Sequence, residues 1–333
     1  MGGDHAPTEV VRGALDYIAE YPTGQVLLVG QPDALERVLE AEGATISDRL
    51  HIIPTTQVIE MDEHPMEAFR GKPDSSLVVC NRLVRQGDAE ASFSAGNTGA
   101  MMVAATLVLE LLEGVRRAGI ATVIPAENGG GAVLVDAGAN VDCRAKHLEH
   151  FALLGSVYTE RVLGVKSPRV GLLSNGEEEA KGNELTKETH RLLKALGARI
   201  HYIGNVEGNH LTEGKVDVVV CDGFVGNVLL KAAEGMGRLA ISLLVQAANE
   251  EQDPEKVAQI RQLIAKFRAR MDYSEYGGAP LLGVNGVAMI AHGRSDRRAI
   301  CNGIRQAVRA VEADYLTGVR DAVRKLPSAQ EEA

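Results

Sequence analysis

The chain has 333 residues and a formal net charge of −10, and 45% of its residues are hydrophobic while only 4% are aromatic. The acidic balance argues against a general nucleic-acid-binding protein, because such proteins carry a basic face. The cysteines Cys80, Cys143, Cys221 and Cys301 are widely spaced and include no Cys-x-x-Cys pair. This spacing argues against a disulfide framework or a zinc knuckle and favours a reducing cytoplasm.

Short apolar runs alternate along the chain with longer segments of helical periodicity. The apolar runs predict strands at 25–29, 50–53, 91–93, 120–124, 132–135, 169–173, 199–203 and 216–221. The periodic segments predict helices near 8–20, 33–42, 75–86, 98–112, 145–162, 183–196, 227–249, 255–270 and 295–318. This alternation predicts one α/β domain over residues 1–333, with helices on a mostly parallel sheet and a helical excursion at 245–275.

Loops rich in Gly, Asn and Asp follow several predicted strands and lead into predicted helices. If the strands are parallel, these loops share one sheet edge, where open α/β folds bind their ligands. Glycines allow close backbone approach, and helix starts offer free N–H groups, so the loops favour an anion. The candidate phosphate- and substrate-binding residues are Gly3, Asp4, His5, Ser94, Gly96, Asn97, Thr98, Gly99, Asp136, Asn140, Gly182, Asn183, Asp222, Gly226 and Asn227. For each single loop, ordinary capping and turn formation is the alternative.

Lys181 is a candidate functional residue, because it lies in a polar loop at the entrance to a predicted helix. The alternative is a solvated lysine that pairs with the neighbouring glutamates. The sequence has no Walker loop, no dinucleotide fingerprint, no G-x-S-x-G elbow and no convincing set of metal ligands,. His147 and His150 have helical spacing but no clear third ligand, so we interpret them as surface or capping residues.

In these loops the sequence resembles the bacterial phosphate acyltransferases, the acyl-acyl carrier protein:phosphate transacylases of phospholipid synthesis. The matching stretches are Met1-Gly2-Gly3-Asp4-His5-Ala6-Pro7, Ser94-Ala95-Gly96-Asn97-Thr98-Gly99-Ala100, Asp136-Ala137-Gly138-Ala139-Asn140, Lys181-Gly182-Asn183-Glu184-Leu185-Thr186-Lys187, Gly204-Asn205-Val206-Glu207, Asp222-Gly223-Phe224-Val225-Gly226-Asn227, Tyr276-Gly277-Gly278-Ala279 and Ala291-His292-Gly293. They occur in order over nearly the whole chain, so their combination is far more specific than any one of them.

The resemblance implies a Rossmann-like α/β/α sandwich of the phosphotransacetylase and isocitrate-dehydrogenase type. It implies that inorganic phosphate attacks a long-chain acyl-[acyl carrier protein] to give acyl-phosphate and free carrier, without an organic cofactor. It also implies a cytoplasmic homodimer, peripherally associated with the inner face of the membrane, whose product feeds a glycerol-3-phosphate acyltransferase. The family's functional lysine corresponds to Lys181, and Asn97, Thr98 and Asn227 are expected to supply further donors.

A basic amphipathic segment at 255–271 contrasts with the acidic remainder of the chain,. Its candidate docking residues are Ile260, Arg261, Leu263, Ile264, Lys266, Phe267 and Arg268. The segment is suited to an anionic membrane or to an acidic carrier protein. A helix that packs on the core or on a second subunit is the alternative, and the spacing does not decide among these.

Three rival functions remain at this level. The nearest is a short-chain phosphotransacetylase that uses acyl-coenzyme A on the same fold. An NAD-linked decarboxylating dehydrogenase has a related fold, but the chain lacks its dinucleotide fingerprint,. A non-catalytic scaffold for membrane and carrier would have no use for the convergent Gly/Asn loops.

Overall fold

The computed structural model describes residues 1–271 and 277–325, and for residues 254 and 268–271 it describes the backbone alone. Tyr276, in one of the matching stretches, lies outside the described residues. The helices are α1 (Thr8–Glu20), α2 (Pro32–Ala41), α3 (Pro65–Gly71), α4 (Ser76–Gln86), α5 (Thr98–Ala104), α6 (Ala145–Arg161), α7 (Glu184–Ala195), α8 (Gly223–Glu250), α9 (Pro254–Met271), α10 (Arg297–Glu312) and α11 (Tyr315–Arg324). The strands are β1 (Val26–Gly30), β2 (Leu50–Pro54), β3 (Ala91–Ser94), β4 (Gly119–Pro125), β5 (Gly131–Val135), β6 (Arg169–Leu173), β7 (His201–Val206), β8 (Val218–Val220), β9 (Ala279–Leu282) and β10 (Val287–Ile290).

The strands form a large sheet in the order β3-β10-β9-β4-β5-β8-β6-β7 and a small parallel pair, β1-β2. In the large sheet, β5, β8, β6 and β7 run parallel, and β3 runs parallel to β10. Antiparallel pairs occur at β10-β9, β9-β4 and β4-β5. The sheet is therefore mostly parallel, as predicted, but the strand direction reverses at each step from β10 through β9 and β4 to β5.

Helices cover both faces of the large sheet, because alternate side chains of a strand point to opposite faces. Val133 and Val135 of β5 pack in one hydrophobic cluster with Phe151 of α6. Leu134, between them, belongs to a different cluster, against which Leu230 of α8 packs. All three β5 side chains are fully buried, so α6 and α8 lie on opposite faces of the same strand.

Several predicted boundaries are wrong, each for a local reason. The helix predicted at 98–112 is α-helical to Ala104, continues as a π-helix over Ala105–Leu109 and ends before Glu110, whose φ is 65°. The helix predicted at 295–318 is two helices, because Asp314 adopts the left-handed conformation with a φ of 49°. The short elements α3, β9 and β10 were not predicted, and β1 and β2 do not join the large sheet.

Candidate active site

Three of the Gly/Asn loops leave the large sheet at one edge. Val135 at the end of β5 lies beside Val220 at the end of β8, which lies beside Leu172 near the end of β6. Because these strands are parallel, the loops that follow them emerge together. The loops lead into α6, α8 and α7, so the edge combines the start of three helices and their free N–H groups,.

Asp136 organises the first of these loops. Its fully buried carboxylate accepts hydrogen bonds from the backbone N–H groups of Ile120, Gly138, Ala139 and Asn140 at 2.7–3.1 Å, and from the Asn140 side-chain amide at 2.8 Å. Burial raises the pKa of Asp136, and these donors oppose that shift because they favour the charged form,. One carboxylate thus fixes the backbone of residues 138–140 against the start of β4.

The first turn of α8 lies directly against the Asp136 loop, and glycine makes this approach possible. A Cβ on Gly226 would lie 1.9 Å from the Asp136 carbonyl oxygen, and a Cβ on Gly223 would lie 2.6 Å from that of Asn140. The Gly223 N–H donates to the Asn140 carbonyl at 2.8 Å. The two loops therefore form one continuous surface, and the Asn227 side chain lies beside Gly138.

The loop that carries Lys181 is fixed by its neighbours, while the ammonium group stays available. Glu177 pairs with His210 at 3.0 Å, and Glu179 pairs with Lys194 at 2.7 Å. The Glu178 carbonyl accepts hydrogen bonds from the Lys181 N–H and from the Asn205 side chain. Lys181 is exposed, and across residues 1–271 and 277–325 its side chain makes no ion pair or hydrogen bond.

Several predicted polar residues serve as helix N-caps. The side-chain oxygens of Asn97, Asn183 and Asp222 accept the backbone N–H groups that begin α5, α7 and α8 at 2.9 Å. The Asn97 amide also donates to three carbonyls of the 60–63 loop, so it is committed to structure. Lys181 and Asn227 differ from them, since their side-chain donors have no partner within the described part of the chain.

The prediction that all the loops share one edge is wrong for the N-terminal loop and the Ser94 loop. Between β3 and β5 the strand direction reverses three times, so the Ser94–Gly99 loop leaves the opposite end of the sheet. There it packs with the opening residues: a Cβ on Gly3 would lie 2.4 Å from the Ala95 carbonyl oxygen, and the Asp4 N–H donates to the Gly293 carbonyl.

This second group contains Gly3, Asp4, His5, Ser94, Gly96, Asn97, Thr98 and Gly99, and α8 connects it to the first group. His292, beside Asp4, lies within electrostatic range of Lys231 and Glu234 of α8. Lys231 is nine residues beyond Asp222, a distance of about 14 Å along a helix. The two groups therefore lie beside different turns of α8, although Ala137 of the first loop packs in one hydrophobic cluster with Ala100 and Met101 after the second.

Two polar atoms beside the Lys181 loop belong to residues that were not among the predicted site residues. The Ser174 hydroxyl at the end of β6 and the Asn205 Oδ1 on β7 are buried without a hydrogen-bond partner in the described residues. A Cβ on Gly182 would lie 3.1 Å from the Ser174 hydroxyl. Asn205 lay within a matching stretch, so the signal was available, but its burial depends on β7 pairing with β6.

The basic amphipathic segment is α9, which packs against α8 as a helical hairpin. Ile264 is buried, and Ile260 and Phe267 are half-buried, while Arg261, Leu263 and Lys266 are exposed. The Arg268 side chain lies outside the described residues. Among the described helices, none combines the length and the apolar character that a bilayer crossing requires. Among the described residues, no group of three or more His, Cys, Asp or Glu side chains could hold a metal ion.

The α/β fold resembles that of solved phosphotransacetylases. The structure resembles a phosphotransacetylase from Streptococcus pyogenes with a TM-score of 0.62 at 17% identity, over 96% of this chain and 92% of that one. A phosphotransacetylase from Staphylococcus aureus gives a TM-score of 0.62 at 16% identity, over 92% and 91% of the two chains. At these identities the likeness establishes the α/β fold.

The sequence establishes the family. Residues 1–317 match the family model described as fatty acid synthesis protein, and the chain belongs to this family. A phosphate acyltransferase from Desulforamulus reducens is 46% identical over 97% of this chain and 95% of its own length. One from Heliobacterium modesticaldum is 46% identical over 97% and 96%. The chain is therefore an enzyme that transfers acyl groups, with phosphate acyltransferase activity.

Proposed function

We propose that the enzyme transfers a long-chain acyl group from acyl carrier protein to inorganic phosphate, and that the acyl-phosphate feeds phospholipid synthesis through a glycerol-3-phosphate acyltransferase. The observation that carries the proposal is the edge where β5, β8 and β6 end, with the uncommitted donors of Lys181 and Asn227 beside three helix starts. Free N–H groups and a lysine ammonium suit a small, doubly charged anion.

The reaction needs no covalent intermediate on the protein. A phosphate oxygen attacks the thioester carbonyl carbon, the C–O bond forms, and the tetrahedral oxyanion collapses with loss of the thiolate. The proton of hydrogen phosphate balances the thiol that is released. Holding phosphate against the thioester contributes up to about 7–11 kcal/mol in ideal cases. The thiolate, with a pKa of roughly 8.5, leaves without strong acid catalysis.

Within this proposal, Lys181 binds the phosphate or the developing oxyanion, and Asn227 donates to the same group. Asp136 acts indirectly, because its five accepted hydrogen bonds orient the loop that faces Asn227. Asn183 and Asp222 cap the helices whose N-termini face the anion. The Asp136 carboxylate is not assigned to the phosphate itself, since its oxygens are already occupied by these donors and two anions in direct contact repel,.

A donor series tests the proposal and separates it from a short-chain phosphotransacetylase. Purified enzyme is incubated with labelled phosphate and with acyl carrier protein or coenzyme A that carries acetyl, butyryl, lauroyl or palmitoyl groups. We expect the highest kcat/KM for long-chain acyl carrier protein. A preference for acetyl- or butyryl-coenzyme A would favour the rival enzyme, and phosphate-independent thioester loss would contradict both.

The homodimer is supported by an exposed apolar stripe on α8. Phe224, Val228, Met236, Leu239 and Leu243 recur on one face of this helix and are 50–64% exposed. Exposed apolar stripes of this length are typical of protein interfaces, and a second copy of the chain offers the same stripe in an isologous contact.

Size-exclusion chromatography with light scattering tests this interface. The double variant Met236→Glu/Leu239→Glu should elute as a monomer where the wild type is a dimer. Ile46→Glu, an equally exposed apolar residue outside the helical hairpin, is the control and should remain dimeric. A dimeric double variant would contradict the stripe as the interface.

Peripheral membrane association is supported by the composition of α9. Leu263 is 64% exposed, and Arg261 and Lys266 are exposed on the same helix, which suits the surface of an anionic bilayer,. Wild type should float with vesicles that contain anionic lipid and not with neutral vesicles, and Leu263→Glu should reduce flotation. Flotation that ignores both lipid charge and this substitution would contradict the proposal and leave α9 as a carrier-docking or subunit-packing helix.

A further inference from the structure

A cationic cleft of about 610 Å³ opens beside the Asp136 loop, at the start of α6. Neither Lys181 nor Asn227 lines it. Its lining residues are Arg116, Arg117, Asp142, Cys143, Arg144 and His147. Three guanidinium groups thus face one carboxylate, in a chain whose net charge is −10.

The three arginines are not engaged within the protein. Arg116, Arg117 and Arg144 are exposed, and within the described ranges their guanidinium groups make no ion pair or hydrogen bond. Other arginines of the chain are paired, as Arg169 is with Asp217 at 2.9 Å. Unpaired guanidinium groups around a concave surface attract anions, and their planar donors match phosphate oxygens.

The histidines at the cleft respond to this positive potential. Burial lowers the pKa of His147, and Arg117, Arg144 and Arg116 lower it further. His150, one helical turn along, is buried, so its interpretation as a surface or capping residue is wrong, and burial and Arg116 lower its pKa to about 4. For both histidines burial is the largest cause of the lowered pKa, and the arginines of the cleft add to it,.

The cleft adjoins the proposed reaction centre. The Cys143 thiol lies 3.7 Å from the Asn140 carbonyl oxygen, and Asn140 donates two hydrogen bonds to Asp136. The helices α6 and α7 pack side by side, and both begin at the edge where β5 and β6 end. Because packed helices lie about 8–10 Å apart, the starts of α6 and α7 are neighbours at this edge.

We propose that this cleft binds the 4′-phosphate of the pantetheine arm that carries the acyl thioester. The inference rests on the proposed function, because the thioester at the far end of the arm must reach the phosphate site. A long flexible arm loses much freedom when it binds, so anchoring its charged end positions the reacting end. Carrier protein and coenzyme A both present this phosphate on the same arm, and the experiment compares the two sources.

The test compares the double variant Arg117→Gln/Arg144→Gln with Arg37→Gln/Arg82→Gln, which removes two exposed arginine charges from α2 and α4. Three donors of equal chain length are used: acyl carrier protein, acyl-coenzyme A and an acyl-pantetheine thioester without phosphate. We expect the cleft variant to raise KM at least tenfold for the two phosphate-bearing donors. Its kcat/KM for acyl-pantetheine and the melting temperature should match wild type, and the control should match wild type throughout.

The possible outcomes separate the two proposals. Equal losses with all three donors, or no loss with any, would overturn the cleft as a phosphate anchor. A loss with carrier protein alone would also overturn it and assign the arginines to the carrier's protein surface. If wild type makes no acyl-phosphate from any donor, the proposed function fails by itself. In that case calorimetric titration with 4′-phosphopantetheine still decides the cleft, since binding that needs Arg117 and Arg144 supports it and absence of binding refutes it.

Discussion

Replacing Lys181 by alanine is the most informative single substitution. The side chain is exposed and unpaired within the described residues, so its loss should change the free energy of unfolding by no more than about 0.5 kcal/mol,. If the ammonium binds phosphate or the oxyanion, its removal should resemble the loss of one oxyanion-hole donor. Such losses reduce turnover by about 10²–10³, which corresponds to roughly 2.7–4 kcal/mol.

The assay is steady-state formation of acyl-phosphate from long-chain acyl carrier protein, with a thermal melt on the same preparations. Lys166→Ala is a matched control, because Lys166 is an exposed lysine just ahead of β6, at the other end of the strand that leads to Lys181. We expect Lys181→Ala to lose at least about a hundredfold in kcat with an unchanged melt, and Lys166→Ala to lose nothing. Near-normal turnover would remove Lys181 from the mechanism, and a loss that follows a lowered melting temperature would indicate a folding role.

Three further predictions concern the site and its support. Gly226→Ala should cost about 1–3 kcal/mol in thermal melts, because its Cβ would lie 1.9 Å from the Asp136 carbonyl oxygen, whereas Gly71→Ala meets nothing within 4 Å and should melt like wild type,. Burial lowers the pKa of His150 to about 4, so below about pH 6.5 the unfolded chain binds a proton at this residue that the folded protein does not bind,. The free energy of unfolding should therefore fall by up to roughly 3 kcal/mol between pH 6.5 and 4,. In urea denaturation at a series of pH values, His150→Gln should reduce this dependence on pH. Asn227→Ala should lower kcat/KM roughly a hundredfold without a change in melting, and an unaltered rate would exclude its side chain from the site.

Much of the site was readable from the sequence because its signals are local. Asn183 and Asp222 each accept the N–H three residues ahead, and this capping pattern marks the start of a helix without knowledge of the rest of the fold,. Buried apolar runs likewise identified β5, β6 and β8, which lie side by side and bring these helix starts to one edge. The family resemblance added the expected functional role of Lys181, which its position in the sequence alone left open.

The remainder depends on contacts between distant parts of the chain. The direction of β3 relative to β5 is fixed by β9 and β10, which come almost two hundred residues after β3 and insert between it and β4. Likewise, Lys181 is free because Glu177 and Glu179 pair with His210 and Lys194, an arrangement that only the fold reveals. The cationic cleft also depends on such contacts. Arg117 precedes β4 and Arg144 follows β5, and the antiparallel pairing of these two strands brings the two arginines together.

The direct attack of phosphate on the thioester is tested most directly by one exchange measurement. Long-chain acyl carrier protein is mixed with isotope-labelled free carrier protein and enzyme, and mass spectrometry follows both carriers before and after phosphate is added. The account predicts no acyl transfer between carriers without phosphate, and prompt formation of acyl-phosphate once phosphate is present. Acyl exchange in the absence of phosphate would reveal an acyl-enzyme and would contradict it.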